Sequence, residues 1–456
     1  ISILIFLSLR YRQKNKSSDD FILAGSNIGT VLGFMSFAAT LFSTFTLMGM
    51  PDFFRVHGIG AWLFLAFSDG AMVFLIVWFG FILRKKAASK GFRGMAGLLT
   101  KCYETPWASY IYFFGIFVFL IPYVAIQIRG VSIFLNAILP NVLPAWGWAS
   151  IIVILMLIYS ELGGLKAIMY ADVMQGLLLL TVVWIIAGNA IRYFGGIESM
   201  FDTIEKTNAA LLSTPGPKGL FNFQFLLASF LAILLIPVTQ PQLSTRLVIL
   251  KSTRTLHRMA VAVGTFAILV ILPTIPIGLY GAHLYADAPA AEFISRVLIF
   301  DQLDIIAAAT VIGLIAAALS TSDSQIFALG SELRSMLKGS DRSQMIRTRA
   351  AMMFFAIAAL IFSVLSSDQL VMLARVSFAG TSLLAPMIFY AILSKHKPGM
   401  EIIVFTCIGL IFFILSLLKT IPNELLNLRM DLFLLLSLGT LTILSVIIRN
   451  FIYKKK

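Results

Sequence analysis

The chain has 456 residues, of which 59% are hydrophobic and 12% charged, and its formal net charge is +14. Soluble domains run about 45–50% apolar and about 25% charged, so this composition excludes an ordinary soluble protein and points to a membrane. The basic excess lies in loops between apolar runs, where it sets orientation, and nucleic-acid binding is set aside on that ground.

The opening "ISILIFLSL" is a short apolar run without an initiator Met, and reads as the tail of a span that begins before residue 1. Residues 1–26 are expected to be a truncated first helix and a cytoplasmic link. Twelve spans of about the bilayer-crossing length follow: 27–50, 58–83, 106–137, 145–161, 163–193, 221–247, 256–284, 304–336, 345–365, 369–393, 399–419 and 429–450. Numbering the loops alternately, one side (10–16, 84–101, 166, 251–258, 334–349, 395–397, 449–456) carries 25 Lys/Arg and the other carries six. The positive-inside rule then predicts that the basic loops and the C-terminus are cytoplasmic, in a multi-pass plasma (inner) membrane protein.

The longest non-spanning stretch, 194–220, has five spans before it, counted from residue 27, and five after it. An odd number of spans per half predicts opposite orientations, hence an inverted repeat of 27–193 and 221–393 with a site near the midplane. Residues 399–456 are expected to be peripheral helices, and no soluble domain is appended. Cys102 and Cys407 are far apart, and neither a disulfide nor a metal site is expected. No GxxxxGK[ST] loop is present to drive transport with ATP, and no Ser-His-Asp or His-Glu set suggests an enzyme. A solute sensor is a second possibility, against which stands the lack of a kinase or receiver domain.

Interrupted helices at membrane depth mark transporter sites. "AATLFSTFTLMGMP" (38–51) carries Ser43, Thr44, Thr46, Gly49 and Pro51, and "LLIPVTQPQLSTR" (234–246) carries Pro237 and Pro241. Proline frees a helical carbonyl, which is tolerated in a membrane only where it lines a cavity or meets protein. "AAALSTSDSQIFALGS" (316–331) places Ala317, Ser320, Thr321 and Ser324 on one helix face. Two hydroxyls and a carbonyl there form half an oxygen shell suited to Na⁺. The alternative is that these hydroxyls bond back to carbonyls of their own helix.

These segments resemble the sodium:solute symporter family. The 316–331 stretch resembles its eighth core helix and "ATLFSTFTLMGMP" its first. "ELGGLKAIMYADVMQGLLLL" (161–180) is similar to its fifth, "TQPQLSTRLVILKS" (239–252) to its sixth, and "FAGTSLLAPMIF" around Pro386 to its tenth. The resemblance covers about residues 20–393. It implies an all-α integral membrane protein with the leucine-transporter-type five-plus-five inverted repeat and about 13 transmembrane helices. The implied activity is sodium-coupled symport of a small organic solute. The implied partners are that solute and the lipid bilayer, with no obligate protein partner, and Na⁺ is the coupling ion.

Carried over position by position, the resemblance puts the principal sodium site on the carbonyls of Ala39, Phe42 and Ala317 and the hydroxyls of Ser320 and Thr321. A second cation position falls on Asp172, Ser320, Asp323 and Ser324, where Asp323 replaces the serine of relatives that carry two sodium ions. Asp323 pairing with a basic residue such as Arg246 is the alternative. The solute cavity is expected at Ser43, Thr44, Phe45, Tyr123, Gln127, Ile233, Pro237 and Gln240. Leu41 replaces an aspartate of the proline symporter, and Leu41, Phe45 and Thr46 replace polar residues of sugar carriers, so neither solute is expected. Arg129 and Arg375 are candidates for drawing in an anion, unless they pair with Asp69 or cap helix ends. Asp52, in "GMPDFF", has no counterpart in the family pattern.

Overall fold

The computed structural model describes residues 23–366, 369–394 and 396–454, with side chains left out at 158–164, 341 and 452–454. The expected first helix within 1–26 therefore lies almost wholly outside the described residues. The backbone is nearly all helix, as a chain in hydrocarbon must be if its N–H and C=O groups are to be paired. In chain order the helices are α1 (Thr30–Leu41), α2 (Met50–His57), α3 (Trp62–Lys90), α4 (Met95–Tyr103), α5 (Trp107–Ile138), α6 (Ala145–Tyr193) and α7 (Ile197–Asn208). Then come α8 (Phe223–Leu234), α9 (Ile236–Thr239), α10 (Pro241–Val248), α11 (Thr253–Ile271), α12 (Thr274–Leu284) and α13 (Ala290–Ser295). The last six are α14 (Asp304–Met336), α15 (Asp341–Leu365), α16 (Leu370–Ser382), α17 (Ala385–Leu393), α18 (Met400–Leu417) and α19 (Met430–Lys454).

Among the described residues, nine helices are long and apolar enough to cross a membrane, and a tenth crossing is a pair bent by 51°, Thr30–Leu41 with Phe45–His57. The two other expected spans are present as shorter apolar helices, Ala145–Leu157 and Phe223–Leu234. Large side chains such as Phe74, Ile305 and Leu365 stay exposed on the outside of the bundle, where lipid replaces a protein neighbour.

Three expectations change. The spans 145–161 and 163–193 share one helical stretch of 49 residues; straight, it would reach about 74 Å, more than twice the hydrocarbon thickness. The basic loop 84–101 and the stretch 194–220 are partly ordered into α4 and α7. The first span runs on past residue 50 to His57, and Asp52 gains a role there. Its carboxylate accepts from Arg55 Nε and Nη2 at 2.9 and 2.7 Å, while Arg55 Nη1 donates to the carbonyls of Tyr285, Ala286 and Ala288. This clamp holds the C-terminal end of the broken first span to the chain beyond α12.

The start of α1 and the end of α10 are joined by a parallel bridge. Ile28 N–H donates to Ile249 O at 3.1 Å, and Lys251 N–H donates to Ile28 O at 3.0 Å. The two proline-interrupted spans are thus tied at one end. Their interiors are enclosed by α3, α5, α6, α14 and α16, with α6 against α14 and α5 against α16 among the extensive helix pairs. Gly130 on α5 lets that helix approach the break, because a Cβ there would run into the methyl group of Thr44.

Candidate functional site

α1 stops at Leu41, and Phe42 takes an extended conformation, φ −101° and ψ 123°. The N–H groups that would have continued the helix are diverted. Ser43 N–H donates to Thr46 Oγ1 (3.2 Å) and Phe45 N–H to Ser43 Oγ (3.3 Å), in place of the carbonyls of Ala39 and Leu41. A freed carbonyl at this depth needs another partner. Ser320 Oγ lies 3.3 Å and Thr321 Oγ1 3.4 Å from Ala39 O, and Thr321 Oγ1 lies 3.4 Å from Thr40 O. Tyr123 Oη donates to Leu41 O at 3.0 Å. The hydroxyl pair of α14 thus points across to α1, not back along its own helix.

Those separations are long for O–H···O bonds, whose usual distance is about 2.7–2.8 Å. They match an oxygen cage better. A hard cation with bonds of about 2.4 Å keeps neighbouring ligand oxygens about 3.4 Å apart. Ala39, Ser320 and Thr321 therefore fit the donor chemistry of a Na⁺ site. Phe42 and Ala317, the other two expected ligands, are buried on the same two segments.

One helical turn away lies a buried ion pair. Asp172 on α6 is 0% exposed and Arg246 on α10 1% exposed. Asp172 Oδ2 accepts from Ser36 Oγ (2.6 Å) and Arg246 Nη2 (3.2 Å), and Asp172 Oδ1 accepts from Ser320 Oγ (2.5 Å). Arg246 also donates to Ser36 Oγ, Gln242 O and Ser324 Oγ at 2.8, 2.5 and 2.8 Å. Of the expected second cation position, the structure gathers Asp172 and Ser324 on one guanidinium, with Ser320 on the other oxygen of Asp172. Asp323 is buried on the neighbouring face of α14. Thr40 Oγ1, 3.2 Å from Ser324 Oγ, completes the cluster. Ser36 and Thr40 were missed, although their i, i+4 spacing on the broken helix aligns them.

Next to the break is a nearly closed space of about 10 Å³ between Phe45, Phe64, Leu65, Ser229, Ile233 and Phe378, with Ala232, Val371, Ala374 and Arg375 in its walls. It has room for about one water, so an organic solute can enter only when these walls part. Phe45 and Ile233 were expected here. Tyr123 adjoins it through an edge contact with Phe378, ring centres 5.0 Å apart. Thr44 Oγ1 and Gln127 Oε1 are buried without a hydrogen-bond partner among the described residues, as befits polar groups that await a ligand. Ser43, Pro237 and Gln240 are buried at the two breaks, outside the pocket lining. Gln240 is the extended residue between α9 and α10, and its Oε1 accepts from Gln242 Nε2 at 2.6 Å. The walls given by α3, α8 and α16 escaped sequence reading, since Phe64, Leu65 and Phe378 look like ordinary core.

The two candidate arginines have structural partners. Arg129 Nη1 donates to Ser363 O and Val364 O, at the end of α15, at 3.3 and 3.5 Å. Arg375 lines the pocket, but its guanidinium pairs with Asp431 of α19, donates to Ser229 Oγ at 2.8 Å and lies 4.7 Å over the Phe225 ring. Neither pairs with Asp69, and Arg129 serves a helix end. Cys102 and Cys407 are both free.

Comparison with known proteins gives a consistent picture. The family model described as Sodium:solute symporter family matches residues 21–398. The chain is 27% identical to the sodium/pantothenate symporter of Haemophilus influenzae over 146 residues, 32% of this chain and 28% of that protein. It is 21% identical to the sodium/pantothenate symporter of Escherichia coli over 281 residues, 61% of this chain and 55% of that protein. The matched stretches thus span 28% and 55% of these curated relatives. Among solved structures, a substrate-bound, outward-open Na⁺-coupled sialic acid symporter superposes with a TM-score of 0.78 at 15% identity, covering 97% of this chain and 94% of that one. A nucleobase-cation-symport-1 family transporter superposes with a TM-score of 0.60 at 13% identity, covering 93% of each chain. At such identities the likeness speaks for the fold alone, and that fold is the leucine-transporter type expected from the sequence.

Proposed function

Because the chain belongs to the sodium:solute symporter family, we propose that it is a transporter, not an enzyme, which couples Na⁺ entry to the uptake of a small organic solute. The observation that carries this reading is the meeting of Ser320 and Thr321 with the freed carbonyl of Ala39, at cation-cage spacing and beside a small pocket. In this reading Ala39, Phe42, Ala317, Ser320 and Thr321 hold Na⁺. Ser43, Thr44, Phe45, Tyr123, Gln127, Ile233, Pro237 and Gln240 surround the solute and its path. The halves 27–193 and 221–393 rock against each other to expose the site alternately, with the basic loops and C-terminus in the cytoplasm. An ion entering down about 100 mV gains roughly 2.3 kcal/mol, and a tenfold gradient adds about 1.4. One ion then supports roughly a few-hundredfold accumulation of solute.

Asp172, Ser320, Asp323 and Ser324 form a second cation position in this reading, and Arg246 is its resident cation. Its Nη2 lies between Asp172 and Ser324, where an incoming ion has to displace it. The test is uptake of labelled small metabolites into proteoliposomes under an inward Na⁺ gradient, compared with a K⁺ gradient of equal size. Uptake equal under both gradients rejects the proposal.

A further inference from the structure

Most buried charges at membrane depth in this chain have a visible answer. Asp172 is met by Arg246, Arg375 by Asp431, and Glu332 by two backbone N–H groups of α4. Asp69, in the first third of α3, does not. It is 6% exposed, and among the described residues no hydrogen bond or ion pair reaches its carboxylate. An ionised carboxylate in such a place is costly without a cation or a strong donor.

Its position says where the cation comes from. Leu65 and Phe64 line the small pocket. Asp69 follows Leu65 by one helical turn on the same face, about 6 Å further along. Across that space the ring of Tyr123 contacts Phe378. The carboxylate therefore lies one helical turn beyond the lining of a space walled by Phe45, Phe64 and Phe378, where a solute that reaches past Leu65 meets it. Arg375, in the same lining, is held by Asp431, Ser229 and the Phe225 ring, so its charge is already answered. Aromatic faces around a single carboxylate are the chemistry that holds an organic cation, through ion pairing and cation–π attraction.

We propose that Asp69 is the charge-recognition residue of the solute site, and that the transported solute carries an ammonium group which docks on it. This rests on the reading of the chain as a sodium-coupled symporter, and it names the class of solute. A carboxylate solute would meet like charge at this end of the pocket. A neutral solute would leave Asp69 without its counter-charge.

The test reads the field in the pocket and needs no knowledge of the natural solute. In the full chain with Cys102 and Cys407 changed to Ser, Leu65→Cys puts a thiol in the lining one turn from Asp69. Its reaction rates with a trimethylammonium-bearing, a neutral and a sulfonate-bearing methanethiosulfonate are compared in NaCl at pH 7.5. A unit charge at this range in a partly buried site changes such rates on the order of tenfold or more. The expected result is that the cationic reagent outpaces the neutral one by about that factor, with the anionic reagent slowest. Asp69→Asn should erase the ranking and Asp69→Glu should keep it. An anion-first ranking, a ranking that survives Asp69→Asn, equal rates for all three, or a thiol that no reagent reaches each overturns the proposal. The sodium-gradient uptake assay judges the parent reading separately. Loss of sodium dependence with a cation-first ranking rejects symport while leaving the cation site standing.

Discussion

Replacing Arg246 by Leu should make the protein depend on sodium for its stability. The guanidinium is 1% exposed and faces Asp172, Ser36, Ser324 and the Gln242 carbonyl. Removing one partner of a buried pair costs about 3–5 kcal/mol, because the other charge is left behind. Asp172 keeps the hydroxyls of Ser36 and Ser320, which favours the lower end. At about 2.1 cal/mol/K of unfolding entropy per residue, 456 residues give roughly 1 kcal/mol per kelvin. The melting temperature in KCl should therefore fall by about 3–5 °C. If Na⁺ takes the vacated position, a concentration of 100 times its Kd returns about 2.7 kcal/mol, most of the loss. Wild type should gain less from NaCl, since there the ion competes with Arg246. Asp172→Asn strands the guanidinium instead, so it should lose as much and gain no more from NaCl than wild type does. Thermal unfolding followed by intrinsic fluorescence, in NaCl against KCl at equal ionic strength, measures all three proteins. A sodium increment in Arg246→Leu no larger than in wild type would show that Arg246 does not stand in for the ion.

The bundle was legible in the sequence because lipid imposes a simple rule: apolar runs of crossing length become helices. The expected 304–336 returns as Asp304–Met336, and the expected break near Pro241 as the extended Gln240. The hydroxyl pair was legible too, since helical spacing alone puts Ser320, Thr321 and Ala317 on one face. What failed was partner assignment. Arg375 finds Asp431 across 56 residues, Arg246 finds Asp172 across 74, and Glu332 finds the start of α4 across 236. Long polar side chains reach whichever group the tertiary fold brings near, and residue type carries no record of that. Asp52 with Arg55 was the exception. Its i, i+3 spacing on a helix is a local signal that a family comparison hides, because the family pattern has no such acid. The pocket walls were hidden for the opposite reason: Phe64, Leu65 and Phe378 are apolar residues in apolar helices, and only their shared empty space sets them apart.

Ser320→Ala with Thr321→Ala should abolish sodium stimulation of uptake while leaving the fold intact, as read by a retained monodisperse elution profile; unchanged sodium affinity would place the ion elsewhere. Tyr123→Phe removes the donor to Leu41 O and should cost about 1–3 kcal/mol of stability, together with a raised solute KM. Glu332→Gln weakens two charge-assisted bonds to Met95 and Ala96 N–H. It should cost about 1.5–3 kcal/mol and speed proteolysis in the 91–94 segment ahead of α4. The second cation position makes the sharpest claim about transport itself. If two ions move per cycle, the Hill coefficient for sodium should exceed one in wild type. Asp323 lies within one turn of Ser320 and Ser324, so Asp323→Asn removes charge from the weaker of the two sites. It should lower the coefficient toward one while sparing the ion held by Ser320 and Thr321, whose ligands are neutral oxygens. The same measurement at two pH values separates sodium from a proton at that position, because a proton-filled site weakens as pH rises whereas a sodium-filled one strengthens. A coefficient of one in both proteins at both pH values leaves no place for a second cation.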